Sequence, residues 1–208
     1  MTRSTGKGLG MARRFVLALA IVLTLLAPSV TTAQTAADAI AADVDAWWSA
    51  EFAARGLPYT SPRLDLVSEP GTEICDFIDV FYTPAGYCSP NQTIYVSTGF
   101  VSPDNVAALL PLISHEWGHH IQNLTDTGAY TPLERELQAD CFAGAFIGFA
   151  AESDWISPVV AAIALQLTQS AGDVWWEGTF DEAIHGTKAD RALAFMAGQT
   201  GGLEACGL

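Results

Sequence analysis

Three of the four histidines of this 208-residue chain lie together with a glutamate in HEWGHHIQ, residues 115–122. On an α-helix, side chains four residues apart share one face, with their Cβ atoms about 5–6 Å apart. His115 and His119 therefore point the same way, and two imidazoles at this spacing can bind one Zn²⁺ ion. Glu116 lies at the edge of that face, within reach of a water molecule on the metal. His120 is rotated by about 100° from His119, so we interpret it as a helix-face residue that is able to bond a neighbouring loop, and not as a ligand.

A third ligand is expected from ELQAD, residues 136–140. A catalytic zinc ion takes three protein ligands and keeps one position open. Glu136 and Asp140 are four residues apart and share one helix face. We predict that Glu136 binds the metal, and that Asp140 accepts a ring N–H from one of the two histidines and fixes its tautomer. Glu134 is the alternative ligand, but its position suits a helix cap.

These ligands predict hydrolysis by an activated water molecule. Bound zinc lowers the pKa of its water to about 7 and polarises a carbonyl group. Glu116 is expected to take the water proton as general base and to pass it to the departing amine. The oxyanion that develops needs a second stabilising group. His185 and Arg191, in the polar stretch IHGTKADR, are both candidates for that role.

Two helices must position these residues. The first is expected to begin with Ser102 as its cap and Pro103 in its first turn, and to end near Leu124. Pro111 lies inside this stretch and is expected to kink or restart the helix. The second is expected to begin at TPLE, residues 131–134, which has a capping threonine, a proline at the first position and the glutamate of a capping box.

Three more helices are expected, over residues 36–55, from Ser157 to about Gly172, and from 187 to a stop at Gly198. Gly144 and Gly148, on the second of the two site helices, would let a neighbouring helix approach closely.

Short β-type runs precede the first site helix: LDLV (64–67), ICDFIDVFY (74–82) and TIYVS (93–97). The turn-forming residues PAG and SPN separate the last two runs. This pattern predicts a small antiparallel sheet before the zinc-binding helix, and a mostly helical α+β domain. An extended peptide would be able to pair with the edge of TIYVS.

The first 33 residues have the features of a secretory signal peptide. A basic start precedes the 13-residue apolar run FVLALAIVLTLLA (15–27), and small residues follow up to Ala33. A membrane-spanning helix needs about 20 apolar residues, so a retained N-terminal anchor is the weaker alternative. We predict that residues 1–33 are removed, that residues 34–208 fold as a single domain, and that the protein reaches the periplasm or the extracellular space.

Removal of that segment would change the charge of the chain. Its nine basic residues would fall to five while all 23 acidic residues remain, which gives a formal charge of −18. A surface this negative repels nucleic acid and anionic membranes. We therefore expect no nucleic-acid partner and no stable association with a membrane.

The four cysteines are Cys75, Cys88, Cys141 and Cys206. An even number in an exported chain predicts two disulfides, and the lack of a CxxC pair disfavours a four-cysteine zinc site. Cys75 and Cys88 flank a predicted hairpin loop and are expected to pair, which leaves Cys141 for Cys206.

Several ordered motifs resemble those of the bacterial neutral zinc metallopeptidase family. They are HEWGHHIQ, ELQADCFAG, HGTKADR with a glycine-rich tail bearing a cysteine, and the upstream YCSPNQTIYVS, which together extend from about Cys75 to Cys206. The resemblance implies a zincin-like domain with His115, His119 and Glu136 as ligands, and with Glu116 as base. GDVWWEG (172–178) departs from the acidic pair of that family, which bears on substrate contacts.

The sequence thus predicts a secreted, gluzincin-like endopeptidase that holds one Zn²⁺ ion and cleaves polypeptides. One alternative is a binding or scaffold protein with structural zinc and no activity. Another is a zinc amidase that acts on a non-protein amide, such as a cell-wall crosslink. Glu116 disfavours the first alternative, because a structural site has no use for a base beside an open position.

Overall fold

The computed structural model describes Met1 and residues 34–68, 73–75, 78–79, 83–172 and 185–208. Residues 2–33 of the predicted signal peptide and part of the predicted strand 74–82 lie outside the described residues. From Gln34 to Leu208 these residues belong to one compact unit. In chain order its elements are α1 (Ala36–Arg55), β1 (Arg63–Val67), β2 (Glu73–Cys75), β3 (Ile78–Asp79), β4 (Ala85–Cys88), β5 (Thr93–Ser97), α2 (Val106–Leu124), α3 (Pro132–Glu152), α4 (Pro158–Ser170) and α5 (Lys188–Ala205). No helix among the described residues is long and apolar enough to cross a membrane.

The mostly helical α+β class is confirmed, with α1 beginning and ending as its sequence indicates. Thr35 caps the first turn, and Gly56 ends the helix in the left-handed region at φ 68°. A left-handed residue at this position favours glycine, which has no Cβ to clash. The inner face of α1 buries Trp48, whose ring meets Phe142 of α3 edge to face at 5.4 Å. This contact joins the first helix to the core on which the site is built.

The prediction of an antiparallel sheet is only partly right. The main sheet has the strand order β1-β5-β4, in which β4 is antiparallel to β5 but β1 is parallel to it. Parallel neighbours need a connection of a dozen or more residues. Residues 68–92 are long enough to provide it. β2 and β3 form a separate antiparallel pair with an irregular register.

β4 contradicts the interpretation of PAG as a turn. Ala85 and Gly86 are in a strand, in register with Val96 and Tyr95 of β5. Strand pairing therefore overrides the local turn preference of proline and glycine. The same pairing makes TIYVS the central strand and leaves β4, not β5, at the edge of the sheet.

The helix that carries HEWGHHIQ begins three residues later than predicted. Asn105 caps α2, and its side-chain oxygen accepts a hydrogen bond from the backbone N–H of Ala108 at 3.3 Å. Pro103, the predicted first residue of the helix, lies in the preceding turn. Its carbonyl oxygen accepts a hydrogen bond from the backbone N–H of Ala37 at 3.0 Å. α2 continues as one helix through the buried Pro111, although a proline has no N–H for the carbonyl four residues before it.

Three glycines bring α3 and α5 into backbone contact. A Cβ added at Gly144 would lie 2.0 Å from the carbonyl oxygen of Phe195, and one at Gly148 would lie 2.5 Å from that of Gln199. The close approach predicted for both positions is confirmed. Gly198 is not a helix stop: it faces the carbonyl oxygen of Cys141, and α5 continues to Ala205 with a break at Gly202 (φ 64°, ψ −160°). The predicted start of α3, with its capping box of Thr131 and Glu134, is confirmed.

Both disulfides are present in the expected pairing. Cys75 is bonded to Cys88, and Cys141 is bonded to Cys206, with Cα–Cα distances of 6.0 and 5.6 Å. The second bond joins the middle of α3 to the C-terminal end of α5, beside the glycine contacts. It therefore reinforces the same helix pair.

Candidate metal centre

His115, His119 and Glu136 converge at one point between α2 and α3. The Nε2 atom of His115 lies 3.3 Å from one carboxylate oxygen of Glu136, and the Nε2 atom of His119 lies 3.3 Å from the other. One ligand atom from each residue can be chosen so that all three lie within 4.8 Å of one another. Among the described residues, this is the one group of three or more such side chains placed to hold a metal ion.

The crossing of the two helices makes this convergence possible. Gly118, on the turn between the two histidines, packs against Ala139, one turn beyond Glu136. A Cβ at position 118 would lie 2.8 Å from the Cα of Ala139. Because Gly118 has no side chain, α3 lies close enough to α2 for the Glu136 carboxylate to reach both imidazoles.

The donor set and its spacing fit a zinc ion. Two imidazole nitrogens and a carboxylate oxygen are the donors found in catalytic zinc sites, at about 2.0–2.2 Å from the metal. Ligands at the corners of a tetrahedron with arms of that length are about 3.3 Å apart. Each imidazole nitrogen lies at that separation from a different oxygen of Glu136, and one ligand atom per residue can be chosen so that all three lie within 4.8 Å.

The outer nitrogen of each histidine contacts a side-chain oxygen. The Nδ1 atom of His115 lies 2.8 Å from Asp140, and the Nδ1 atom of His119 lies 3.0 Å from the side-chain oxygen of Gln122. A ring that donates its Nδ1–H keeps a lone pair on Nε2 for a metal. Of the two histidines considered as partners of Asp140, the structure therefore selects His115.

Asp140 also binds Arg191. The guanidinium donates to both carboxylate oxygens, from Nε and from Nη2, at 2.7 Å each, and both side chains are buried. Two parallel charge-assisted hydrogen bonds hold the carboxylate in one orientation. Nη1 of Arg191 donates to the carbonyl of Ala171 at 3.3 Å, which ties the group to the end of α4.

The charges at this point favour a bound cation. Burial lowers the pKa of His115, but the combined effect of the Asp140 and Glu136 carboxylates is larger and raises this pKa to about 10. Burial raises the pKa of Glu136, yet hydrogen bonds from both histidines hold it well below its usual range. The site thus keeps its carboxylate ionised and attracts positive charge to the imidazoles.

A family model described as "putative neutral zinc metallopeptidase" matches residues 25–207. The chain belongs to this family. The resemblance inferred from its motifs is therefore confirmed, and membership indicates a zinc-dependent peptidase with polypeptide substrates. No curated protein and no solved structure matches the chain.

In this member of the metallopeptidase family, the three converging residues lie in a cleft of about 1010 Å³. Glu116 lines the cleft beside them and is only 6% exposed. Burial raises the pKa of its carboxyl, while the nearby imidazoles oppose that shift. A carboxyl with a raised pKa is suited to taking and returning a proton near neutral pH.

The two candidates for stabilising an oxyanion both line the cleft but differ in exposure. His185 is exposed, whereas Arg191 is buried and donates to Asp140 and to a backbone carbonyl. Glu134, the alternative ligand, is outside the cleft lining. Its carboxylate accepts from the backbone N–H groups of Tyr130 and Thr131, as a capping residue does.

His120 makes the expected bond to a neighbouring loop, and also a contact with β4 that the sequence did not indicate. It is fully buried, and its Nε2–H donates to the carbonyl oxygen of Thr60 at 2.7 Å. Its Nδ1 atom then accepts from the hydroxyl of Tyr87 at 2.9 Å, on the cleft-lining strand β4. Burial raises the pKa of Tyr87 to about 12, so this hydroxyl stays protonated. The spacing of His120 from Trp117, on the buried face of α2, was the available signal for this role.

Proposed function

We propose that this protein is a secreted zinc-dependent endopeptidase that uses His115, His119 and Glu136 as ligands and Glu116 as general base. The observation that carries the proposal is the convergence of both Nε2 atoms on the Glu136 carboxylate, 3.3 Å away, inside a large cleft. Family membership supports the peptidase class. One zinc ion per chain is expected.

Zinc in this position would supply Lewis-acid chemistry, since it lowers the pKa of a bound water to about 7 and polarises the scissile carbonyl. Glu116 takes a proton from the attacking water and delivers it to the amine that leaves. Its burial keeps the carboxylate out of bulk solvent, so the proton exchanges with the substrate and not with surrounding water. A non-catalytic scaffold has no need for such a group beside its metal.

We assign stabilisation of the oxyanion to His185. The donors of Arg191 point to Asp140 and Ala171, so this guanidinium holds the residue behind His115. His185 is exposed at the cleft, where a ring N–H can reach a substrate carbonyl. The loss of one such donor costs about 10²–10³-fold in kcat.

The substrate is proposed to bind as an extended polypeptide along β4. This strand lies at the edge of the three-stranded sheet, and its residues Ala85, Gly86 and Tyr87 line the cleft. Main-chain groups at a sheet edge can pair with an added strand without regard to its side chains. Such pairing favours a polypeptide over a cell-wall amide.

Export is supported by the two disulfides, which persist in an oxidising compartment. The predicted signal peptide, residues 1–33, provides the route. N-terminal sequencing of the protein recovered outside the cytoplasm tests this part of the proposal, with a start at Gln34 as the expected result.

The catalytic assignment is tested by Glu116→Gln with Glu134→Gln as a matched control. The first variant should retain one zinc per chain and lose about 10²–10⁴-fold of its activity on casein. The control should keep both, because glutamine also completes a capping box. Equal cleavage by parent and Glu116→Gln would refute the role of Glu116.

The ligand assignment is tested by metal analysis of Glu136→Ala and Glu134→Ala after dialysis. We expect the first variant to lose zinc and the second to retain it. The reverse result would transfer the ligand role to Glu134.

A further inference from the structure

The two histidines of the metal centre have outer partners of different chemistry. His115 faces the carboxylate of Asp140, which only accepts a hydrogen bond, whereas His119 faces the amide of Gln122 at 3.0 Å. An amide offers an acceptor on one side and a donor on the other. Gln122 by itself is therefore compatible with either neutral tautomer of His119.

The surroundings of Gln122 remove this ambiguity. Its side chain is buried, and its amide nitrogen lies 2.8 Å from the backbone carbonyl oxygen of Arg135 and 3.0 Å from the side-chain oxygen of Gln138. A carbonyl oxygen cannot donate. The NH₂ group must face these two oxygens, and the side-chain oxygen of Gln122 must face His119.

Gln138 is oriented in the same way, one step further from the metal. Its NH₂ group donates to the backbone carbonyls of Thr127 at 3.2 Å and of Cys206 at 3.0 Å. Its oxygen accepts from the hydroxyl of Thr127 at 2.6 Å. A flipped amide would place an oxygen against two carbonyl oxygens, so the flip is excluded by the hydrogen-bond network itself.

We propose that Gln122 and Gln138 form an amide relay that fixes the tautomer of His119. The relay begins at backbone carbonyls, including that of Cys206, whose position is held by its disulfide to Cys141. The oxygen of Gln138 accepts from the NH₂ group of Gln122, which leaves the oxygen of Gln122 facing His119. Nδ1 of His119 therefore carries the hydrogen, and Nε2 presents its lone pair to the site. Gln122 and Gln138 are thus positioning residues for a ligand, and this inference rests on the proposed function.

The relay gives the C-terminus a connection to the metal centre. Cys206 caps the C-terminal end of α5, and its backbone carbonyl accepts a hydrogen bond from Gln138. His115 is held by the charged pair of Asp140 and Arg191, whereas His119 is held by two neutral amides. The two ligands are therefore oriented independently.

The experiment compares Gln122→Met with Gln122→Glu. Methionine has nearly the same length but is a weak acceptor, whereas a protonated glutamate keeps an oxygen for the Nδ1–H and an O–H for the oxygens of Arg135 and Gln138. In metal-free protein, ¹⁵N NMR spectra recorded over a series of pH values report which ring nitrogen of His119 carries the hydrogen in the neutral ring. We expect Nδ1–H in the parent and in Gln122→Glu, and a mixture of tautomers in Gln122→Met.

Zinc affinity, measured by competition with a chelator, gives a second readout. Gln122→Met should bind zinc about 10–100-fold more weakly, as is typical when the partner of a ligand is removed. Gln138→Met, which leaves the Gln122 contact in place, should have a smaller effect in the same direction. Gln166→Met, on the exposed face of α4, is the control and should bind as the parent does.

The inference is overturned if Gln122→Met keeps a pure Nδ1–H tautomer, or if Gln122→Glu loses it to the same extent despite its acceptor. Failure of the proposed function gives a different result, in which the parent itself binds no zinc. If the parent binds zinc and both Gln122→Met and Gln138→Met bind it with the same affinity as the parent, the relay is refuted and the proposed function is not.

Discussion

The buried pair of Asp140 and Arg191 provides a test that separates the stability of the fold from the affinity of the site for zinc. Asp140 is 1% exposed and accepts from His115 at 2.8 Å and twice from Arg191 at 2.7 Å. Asp140→Asn removes the negative charge from this group. Arg191→Met removes the positive charge and leaves the carboxylate with His115.

Both variants should unfold more easily. Removing one partner of a buried ion pair costs about 3–5 kcal/mol, because the other charge remains buried. A domain has a free energy of unfolding of about 5–15 kcal/mol, so the variants should still fold. The double variant should lose less than the sum of the two single losses, since neither charge is then left alone.

The effect on zinc should differ between the two variants. Nη2 of Arg191 lies 3.4 Å from Nδ1 of His115, so Asp140→Asn leaves a guanidinium beside the ligand with no carboxylate between them. We expect zinc affinity to fall by about 10–100-fold, or about 1.4–2.7 kcal/mol. Arg191→Met keeps the carboxylate on His115, so its zinc affinity should stay close to that of the parent.

Urea unfolding of the metal-free, oxidised protein and chelator competition measure the two quantities. Equal loss of zinc affinity in both variants would contradict this expectation, because it would mean that Asp140 orients His115 only when Arg191 holds it in place. Additive losses of stability in the double variant would refute the ion pair.

Two further predictions concern the helices that support the site. Gly198→Ala places a Cβ 1.8 Å from the carbonyl oxygen of Cys141, so urea unfolding should show a loss of about 1–3 kcal/mol or more; an unchanged midpoint would contradict the backbone contact. Hydrogen bonds from Thr187 lower the pKa of Asp190 below its ordinary value of 3.8. Its stabilisation is therefore present above pH 3.8 and lost as pH falls through the lower folded-state pKa. In Asp190→Asn, the melting temperature should therefore fall less steeply with decreasing pH below pH 3.8 than in the parent. Equal slopes for the variant and the parent would contradict this prediction.

The shared helix face of His115 and His119 and the start of α3 were predictable because their information is local. The spacing of His115 and His119 follows from the helical period, and the box of Thr131 and Glu134 needs only four residues. The class of fold followed from the same kind of pattern.

Features that depend on distant partners were missed. Asn105 replaces Ser102 as the cap because the preceding residues bond to α1, far away in sequence. β4 forms where Gly86 indicated a turn, because β5 offers it a partner. Gly198 continues a helix because α3 packs against it. The amide of Gln138 gains its direction from carbonyls that only the folded chain brings together.

The close packing of α3 on α5 has a consequence for how the cleft accommodates substrates of different size. The contacts of Gly144, Gly148 and Gly198 and the bond between Cys141 and Cys206 make this side of the cleft rigid, because α3 and α5 cannot slide past each other without separating their backbones. The opposite side is the short strand β4, which pairs with β5, bonds to the ring of His120 and is joined to β2 by a disulfide at its last residue, Cys88. Changes in cleavage preference are therefore more readily engineered, and more readily evolved, on the strand side, where a new side chain at Ala85 or Gly86 would alter the fit without moving His115, His119 or Glu136.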